Sequence, residues 1–181
     1  MRPTGLLVWV LLVGSAYAQA QPPQDRIPAS VAPVYFVPSG EAIRVFNLPV
    51  TAQGYDVTQH AILGDIEALD VILRPETATV FGFRLGTHTD SLAFNLAYDL
   101  TSQELYMGGT ELLEPFALHH PLVNNALRIR LWWNADMLRF LVDDTSYRMP
   151  LTTPAAPRSH VTLFVDHGMI QATHLTAWLP R

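Results

Sequence analysis

The stretch LRIRLWWNADMLRFLVDD (127–144) is the clearest β-sheet signal in the chain, because its apolar residues recur with the two-residue period of a β-strand. One face of the first half is apolar, and the other carries polar groups and an indole: Leu127, Ile129, Leu131 and Trp133 against Arg128, Arg130 and Trp132. The alternation resumes after Asn134-Ala135-Asp136, in which Asn and Asp tolerate the backbone geometry of a tight turn. The stretch therefore predicts an antiparallel hairpin.

Short β-like segments follow one another along most of the chain. In order they are VYFV (34–37), IRVFNL (43–48), AILGDIEALDVIL (61–73), VFGFRLG (80–86), SLAFNLAYDL (91–100), ELYMGG (104–109), LRIRLWW (127–133), MLRFLVDD (137–144), SYRM (146–149), VTLFVD (161–166) and IQATHLTAW (170–178). This pattern predicts an all-β, two-sheet antiparallel β-sandwich of the concanavalin A-like jelly-roll type.

Two connecting stretches also carry local predictions. TELLEPFALHHPLV (110–123) is the best candidate for a helix, but Pro115 and Pro121 limit it to one turn. Asp166-His167-Gly168 is typical of a hairpin turn between the last two segments.

The N-terminal part of the chain predicts export. Residues 1–18 have the features of a secretory signal peptide: Arg2, an apolar run over 6–13, and Ala16-Tyr17-Ala18 as a cleavage site, with Ala18-Gln19-Ala20 as an alternative. The run is shorter than the roughly 20 residues that span a bilayer, so no membrane attachment is expected after cleavage. Residues 19–33 predict a proline-rich linker, and residues 34–181 predict one domain. The protein is expected to be secreted or periplasmic.

The composition excludes several classes of function. The sequence has no cysteine, so it has no disulfide and no thiolate chemistry. Without Arg2, ten basic residues stand against 16 acidic ones, a net charge near −6 that opposes binding to nucleic acid. No glycine-rich phosphate loop or nucleophile elbow occurs, so no cofactor is predicted. The histidines at 160, 167 and 174 lie on separate segments and predict no metal site.

Three acids at the start of one segment form a candidate catalytic group. In GDIEALD (64–70), Asp65 and Glu67 would point the same way on a strand, and a bulge would bring Asp70 to that face. Two carboxylates on one face are what a retaining glycosidase needs, one as nucleophile and one as acid/base. The spacing resembles the E-x-D-x-x-E strand of jelly-roll endoglucanases, with Asp and Glu exchanged. The alternative is a strand whose solvent face is acidic.

The arginine-bearing face of the hairpin is a candidate ligand site. Trp132 is expected to be partly exposed there, with Arg128 and Arg130 beside it. An exposed indole on a sheet can stack on a sugar ring, bury itself against another chain, or pack within its own domain. Tyr98, Tyr106 and Tyr147 are expected to line the same surface.

The order of these segments resembles the C-terminal β-sandwich of glycoside hydrolase family 32, the invertases, inulinases and levanases. The motifs that carry the resemblance are GDIEALDVIL, VFGFRLG, NLAYDLTSQELYMGG, ALRIRLWWNADMLRFLVDD and VTLFVDHGMIQATHLTAW, in that order. Asn134 stands where that family usually has Asp, Arg139 where it has Glu, and Met107-Gly108-Gly109 where it has Asp-Arg. The motifs of the family's catalytic propeller do not occur, so the resemblance implies no catalytic residue.

The resemblance and the residues together predict a non-catalytic module that binds carbohydrate or docks against a partner protein. One alternative is a small jelly-roll glycosidase that uses Asp65 and Glu67, with Asp70 in support. Another is an interaction protein whose Trp132 face forms a homodimer.

Overall fold

The computed structural model describes residues 40–45, 48–61, 65–86, 92–134, 136–151 and 158–180, and every regular element within them is a β-strand. The strands are β1 (Glu41–Val45), β2 (Leu48–Ala61), β3 (Ala68–Pro75), β4 (Val80–Gly86), β5 (Leu92–Asp99), β6 (Glu104–Gly108), β7 (Phe116–His119), β8 (Leu127–Asn134), β9 (Met137–Val142), β10 (Thr145–Pro150) and β11 (His160–Leu179). These ranges include no helix with the length and apolar character of a membrane span. The predicted signal peptide, the proline-rich linker and the segment 34–37 lie outside the described residues.

One long strand joins two antiparallel sheets. The C-terminal part of β11, Ile170 to Trp178, pairs with β3, whereas its N-terminal part, His160 to Asp166, pairs with β4. The hydrogen-bonded order is β10-β9-β8-β3-β11-β4-β5-β6-β7, with β1 and β2 on the other edge of β11. We call β10-β9-β8-β3 with the C-terminal part of β11 the first sheet, and β4-β5-β6-β7 with its N-terminal part the second sheet.

The inner faces of the two sheets form a single core. In β8 the predicted alternation is confirmed, since its apolar face is buried and its arginine face is half-buried. Phe94 of the second sheet contacts Trp133 of the first, with ring centroids 5.9 Å apart. Phe116 of β7 contacts Phe140 of β9 at 5.5 Å. The predicted two-sheet antiparallel sandwich of the jelly-roll type is therefore confirmed.

A buried ion pair closes one end of the core. Arg158 donates from Nη1 to the Glu111 carboxylate at 2.8 Å and from Nε to the Ile66 carbonyl at 3.0 Å. Its guanidinium carbon lies 4.6 Å from the centre of the Trp133 ring. Both charged side chains are almost completely buried, at 6% and 1% exposure. Because a lone buried charge is costly, each side chain requires the other.

The prediction of a helical turn within 110–123 is wrong, because Phe116–His119 forms β7 and pairs with β6. The prolines at 115 and 121 would each interrupt the interior of a helix in this segment. The extended backbone lets Phe116 reach the rings of Phe140 and Tyr147, so packing favours a strand.

The prediction of a hairpin turn at Asp166-His167-Gly168 is also wrong. These residues are an irregularity inside β11, where the register against β2 shifts between Asp166 and Gly168. His167 and Gly168 have positive φ angles of 50° and 112°. A left-handed backbone conformation usually suits a turn. In this protein it interrupts a single strand, whose two parts pair with different sheets.

The sequence did not predict strand β2. The predicted segments 43–48 and 61–73 share only its first and last residues, Leu48 and Ala61. Its sequence LPVTAQGYDVTQHA contains a proline, a glycine and little alternation. It pairs with β11 over almost its whole length, from Leu48 to Ala61. Pairing with a long partner therefore stabilises a segment of weak intrinsic strand propensity.

We expect Gly168→Ala to lower the free energy of unfolding by roughly 1–3 kcal/mol, because a side chain at this φ is strained. A Cβ at this position would also lie 2.5 Å from the carbonyl carbon and oxygen of Thr77. Urea unfolding followed by tryptophan fluorescence measures the change. His167→Asn is the control: Asn tolerates positive φ, and the exposed side chain at 167 packs on little. Equal stability of Gly168→Ala and the unmodified protein would contradict the prediction.

We expect the stability to fall as the pH rises from about 10 to about 12. Burial raises the pKa of Tyr98 and Tyr147, and burial with the Glu104 hydrogen bond raises the pKa of Tyr106 to about 12. An unfolded phenol titrates near pH 10, so the contribution is complete below that pH and is lost as the folded phenols ionise. Absorbance titration and urea midpoints measure both effects. Tyr106→Phe should reduce the fall, and a midpoint that stays constant over this range would refute the assignment.

Candidate functional site

The outer face of the first sheet carries a row of side chains that crosses its strands. Arg148 of β10 is the register partner of Arg139 of β9, which is opposite Trp132 of β8. Trp132 is opposite Ala68 of β3, and Ala68 is opposite Trp178 of β11. Neighbouring strands lie about 4.8 Å apart, so the row spans roughly 19 Å. We call these five residues the arginine–tryptophan row.

The two ends of the arginine–tryptophan row differ in exposure. Arg139 and Arg148 are exposed, whereas Trp132 and Trp178 are half-buried. Ala68 is completely buried although its position belongs to the outer face, because larger side chains flank it. The row therefore has a charged end near the sheet edge and a flatter apolar end over the middle strands.

A carboxylate next to this row is held by an arginine. Arg128 donates from Nε and Nη2 to the two carboxylate oxygens of Asp70, at 3.3 Å and 2.7 Å. The Asp70 side chain is only 8% exposed, while that of Arg128 is 42% exposed. The hydrogen bond with Asp70 raises the pKa of Arg128. His174 adds a third polar group, with Nε2 3.7 Å from Asp70 Oδ2 and 3.2 Å from Thr176 Oγ1.

The second arginine of β8 is fixed by the turn between β9 and β10. Arg130 donates from Nη2 to the Asp143 carbonyl at 3.0 Å and lies 3.4 Å from Asp144 Oδ1. Asp143 in turn contacts His120 Nε2 at 2.7 Å and accepts from the Arg128 backbone N–H at 3.4 Å. Arg128 is thus oriented by the Asp70 carboxylate, and Arg130 by the Asp143 backbone carbonyl, before any ligand arrives.

The proposed catalytic acids do not share one strand face. Asp65 and Glu67 precede β3, and Asp70 lies within it. The register of β3 against β8 is continuous from Ala68 to Leu73, so the expected bulge is absent there. Asp65 is exposed and accepts a hydrogen bond from the Arg158 backbone at 3.3 Å. The catalytic role of these acids stays a prediction that the arrangement does not favour.

The expectation that three tyrosines line the Trp132 surface is wrong. Tyr98 is fully buried in the core and donates to the His120 carbonyl at 2.7 Å. Tyr147 stacks on Phe140 at 5.1 Å, on the inner side of the first sheet. Tyr106 belongs to β6 of the second sheet, where its hydroxyl donates to Glu104. Tyr98 and Tyr106 lie in strands of the second sheet, and strand alternation turns Tyr147 to the inner face of the first.

Sequence reasoning missed four of the five members of the arginine–tryptophan row: Arg139, Arg148, Ala68 and Trp178. Alternation along β9 and β10 could have placed the two arginines on the same face as Trp132. To predict the position of Trp178, one must know that β11 pairs with β3, and the sequence does not reveal this pairing. Within the described ranges, no group of three or more His, Cys, Asp or Glu side chains is arranged to hold a metal ion.

Solved structures with a similar fold include galectins, an inulinase and a fructofuranosidase. A galectin from Caenorhabditis elegans superposes with a TM-score of 0.53 at 13% identity, over 76% of this chain and 96% of the galectin. An exo-inulinase from Aspergillus awamori gives 0.57 at 11% identity, over 82% of this chain and 29% of the enzyme. The fructofuranosidase of Schwanniomyces occidentalis complexed with fructosylnystose gives 0.56 at 8% identity, over 84% and 34%.

The similarity to solved structures supports the sandwich fold. This chain matches about a third of the length of the two enzymes and nearly all of the galectin. No protein-family model and no curated protein matches the sequence. At these identities the comparisons show a concanavalin-like β-sandwich and do not assign the chain to a family.

We expect Asp70 and Arg128 to be energetically coupled. Arg128→Ala leaves a carboxylate that is 8% exposed without its bidentate partner, and should lower the free energy of unfolding by about 1–3 kcal/mol. Asp70→Ala should cost less, because the Arg128 side chain already reaches solvent. Urea unfolding of both single variants and the double variant gives the coupling energy. Arg74→Ala, an exposed arginine on the same face, is the control. Strictly additive effects would contradict the coupling.

Proposed function

We propose that this chain is an exported, non-catalytic β-sandwich that binds carbohydrate on the outer face of its first sheet, centred on Trp132. The observation that carries the proposal is the combination on one face of a half-buried indole and an ordered Asp70–Arg128 pair. The predicted signal peptide supports export. The resemblance of the segment order to an accessory sandwich supports a role without catalysis.

The chemistry of the face suits a sugar. A sugar ring has an apolar side of C–H groups, and its rim carries hydroxyls that both donate and accept hydrogen bonds. An indole offers a flat apolar surface to the C–H side of the sugar ring. The Arg128 and Arg130 guanidinium groups, whose side chains are 42% and 20% exposed, offer hydrogen-bond donors. Charge-assisted hydrogen bonds of this kind are about twice as strong as neutral ones.

The polar groups are also ordered in advance. Arg128 is held by Asp70, and Arg130 is held by the Asp143 carbonyl. A side chain that is already fixed loses less entropy when it binds, by about 0.5–1.5 kcal/mol for each long side chain. This favours direct recognition of hydroxyl groups over loose electrostatic attraction.

The structural comparisons support carbohydrate as the ligand class. The similar structures include galectins and an enzyme crystallised with fructosylnystose. In those enzymes the part that matches this chain is a minority of the molecule. A sandwich that binds sugar is consistent with both kinds of similar structure.

We expect Trp132→Ala to remove most retention on insoluble polysaccharides, with a loss of affinity of about tenfold or more, since one stacked ring contributes about 1.4 kcal/mol or more. Pull-down from a panel of insoluble glucans and fructans measures retention, and Trp132→Phe should preserve part of it. Leu113→Ala is the control, because it removes an exposed apolar side chain, 58% accessible, outside the first sheet. Equal retention of the unmodified protein and Trp132→Ala would exclude this face.

A further inference from the structure

We infer that the ligand of this face is an acidic polysaccharide, whose anionic groups bind Arg139 and Arg148 while its sugar rings lie along Trp132 and Trp178. The inference rests on the proposed function and specifies the chemical class of its ligand. It is carried by the distribution of charge on the first sheet and by the register of the arginine–tryptophan row.

Positive charge is concentrated on the outer face of the first sheet. The whole chain has 11 basic residues, all arginine, and a net charge of −5. Five of those 11 arginines occupy outward positions on the four neighbouring strands β3, β8, β9 and β10. They are Arg74, Arg128, Arg130, Arg139 and Arg148. Asp70 is the one acidic residue at an outward position on β3, β8, β9 and β10. An acidic protein thus presents one basic face.

Two of these arginines face each other without a counter-charge. Arg139 and Arg148 are direct partners across β9 and β10, so their Cα atoms lie about 4.5–5.5 Å apart. Like charges directly opposite destabilise a strand pair. Neither guanidinium makes a hydrogen bond or ion pair with the residues that the structure describes. Arg128 and Arg130, in contrast, are both engaged by acidic residues.

An anion between Arg139 and Arg148 would remove this repulsion. A guanidinium presents a fork of N–H donors that matches the two oxygens of a carboxylate or sulfate. A neutral sugar would not reduce the repulsion between the two guanidinium groups. The pair therefore favours a ligand that carries negative charge at the β10 end of the row.

The geometry of the row favours a polymer. The arginines and the far indole are separated by up to roughly 19 Å, which one sugar ring cannot bridge but several linked rings can. Strand β10 ends the hydrogen-bonded order, so a chain that lies across the strands can continue past Arg148. The two indoles of the row offer flat apolar surfaces on which sugar rings can stack.

The test is a comparison of four probes with the full chain. Affinity electrophoresis or calorimetry measures binding to polygalacturonate, dextran sulfate, neutral dextran and single-stranded DNA. We expect an acidic polysaccharide to bind at least about tenfold more tightly than neutral dextran, with an affinity that falls as salt increases. Preference for polygalacturonate or for dextran sulfate supports the inference, and the difference between them identifies the anionic group.

Matched arginine variants locate the anionic subsite. Arg139→Gln, and Arg139→Gln with Arg148→Gln, should lower the affinity for the acidic polysaccharide towards that for neutral dextran. Arg74→Gln removes the same charge from the same face outside the row, and should have a smaller effect. All of these side chains are exposed, and urea midpoints verify that each variant is folded.

The outcomes separate this inference from the proposed function. If no polysaccharide binds at all, the proposed function fails, and the inference fails with it. If acidic and neutral polysaccharides bind equally, or Arg74→Gln matches Arg139→Gln, the inference is overturned while the proposed function stands. DNA that binds as tightly as the acidic polysaccharide also overturns it.

Discussion

The register of β8 between β3 and β9 constrains both the core and the candidate site. Leu131 faces the core and Trp132 faces outward, and the side chains along β8 alternate between these two faces. A slip of one residue would expose the apolar side and bury Arg128 and Arg130. The Asp70–Arg128 pair reinforces the register from outside, as the contact of Trp133 with Phe94 does from inside. The surface that we propose for ligand binding is therefore as well defined as the core behind it.

Much of the fold could be predicted because most strands carry their own signal. The alternation in β8 and β9 reports burial on one face, and VFGFRLG coincides with β4. The errors arise where tertiary pairing outweighs local sequence. β2 depends on β11 for its partner, β7 is extended because Phe116 packs on the core, and a positive φ at Gly168 bends a strand that the sequence divides in two.

The candidate site could be predicted only in part. Trp132, Arg128 and Arg130 are adjacent in the sequence, so alternation alone places them on one face. Their surroundings depend on register between strands that are distant in sequence: Asp70 is 58 residues from Arg128, and Trp178 reaches the row through β3. The resemblance to an accessory sandwich singled out Arg139 as a departure, and the structure places that arginine next to Trp132. A basic face was not predicted because its arginines are scattered over several strands.

The bent strand β11 has a consequence for how the chain folds. It is the last strand in sequence, yet both sheets and two further strands hydrogen-bond to it. Neither half of the sandwich is complete before His160 to Leu179 is available, so the nucleus must bring together segments that are far apart. Long-range pairing of this kind slows folding to about milliseconds or longer. A nascent chain would expose unpaired edges of β3 and β4 until the 20-residue strand β11 is available, and this strand would then join the two sheets in one cooperative step.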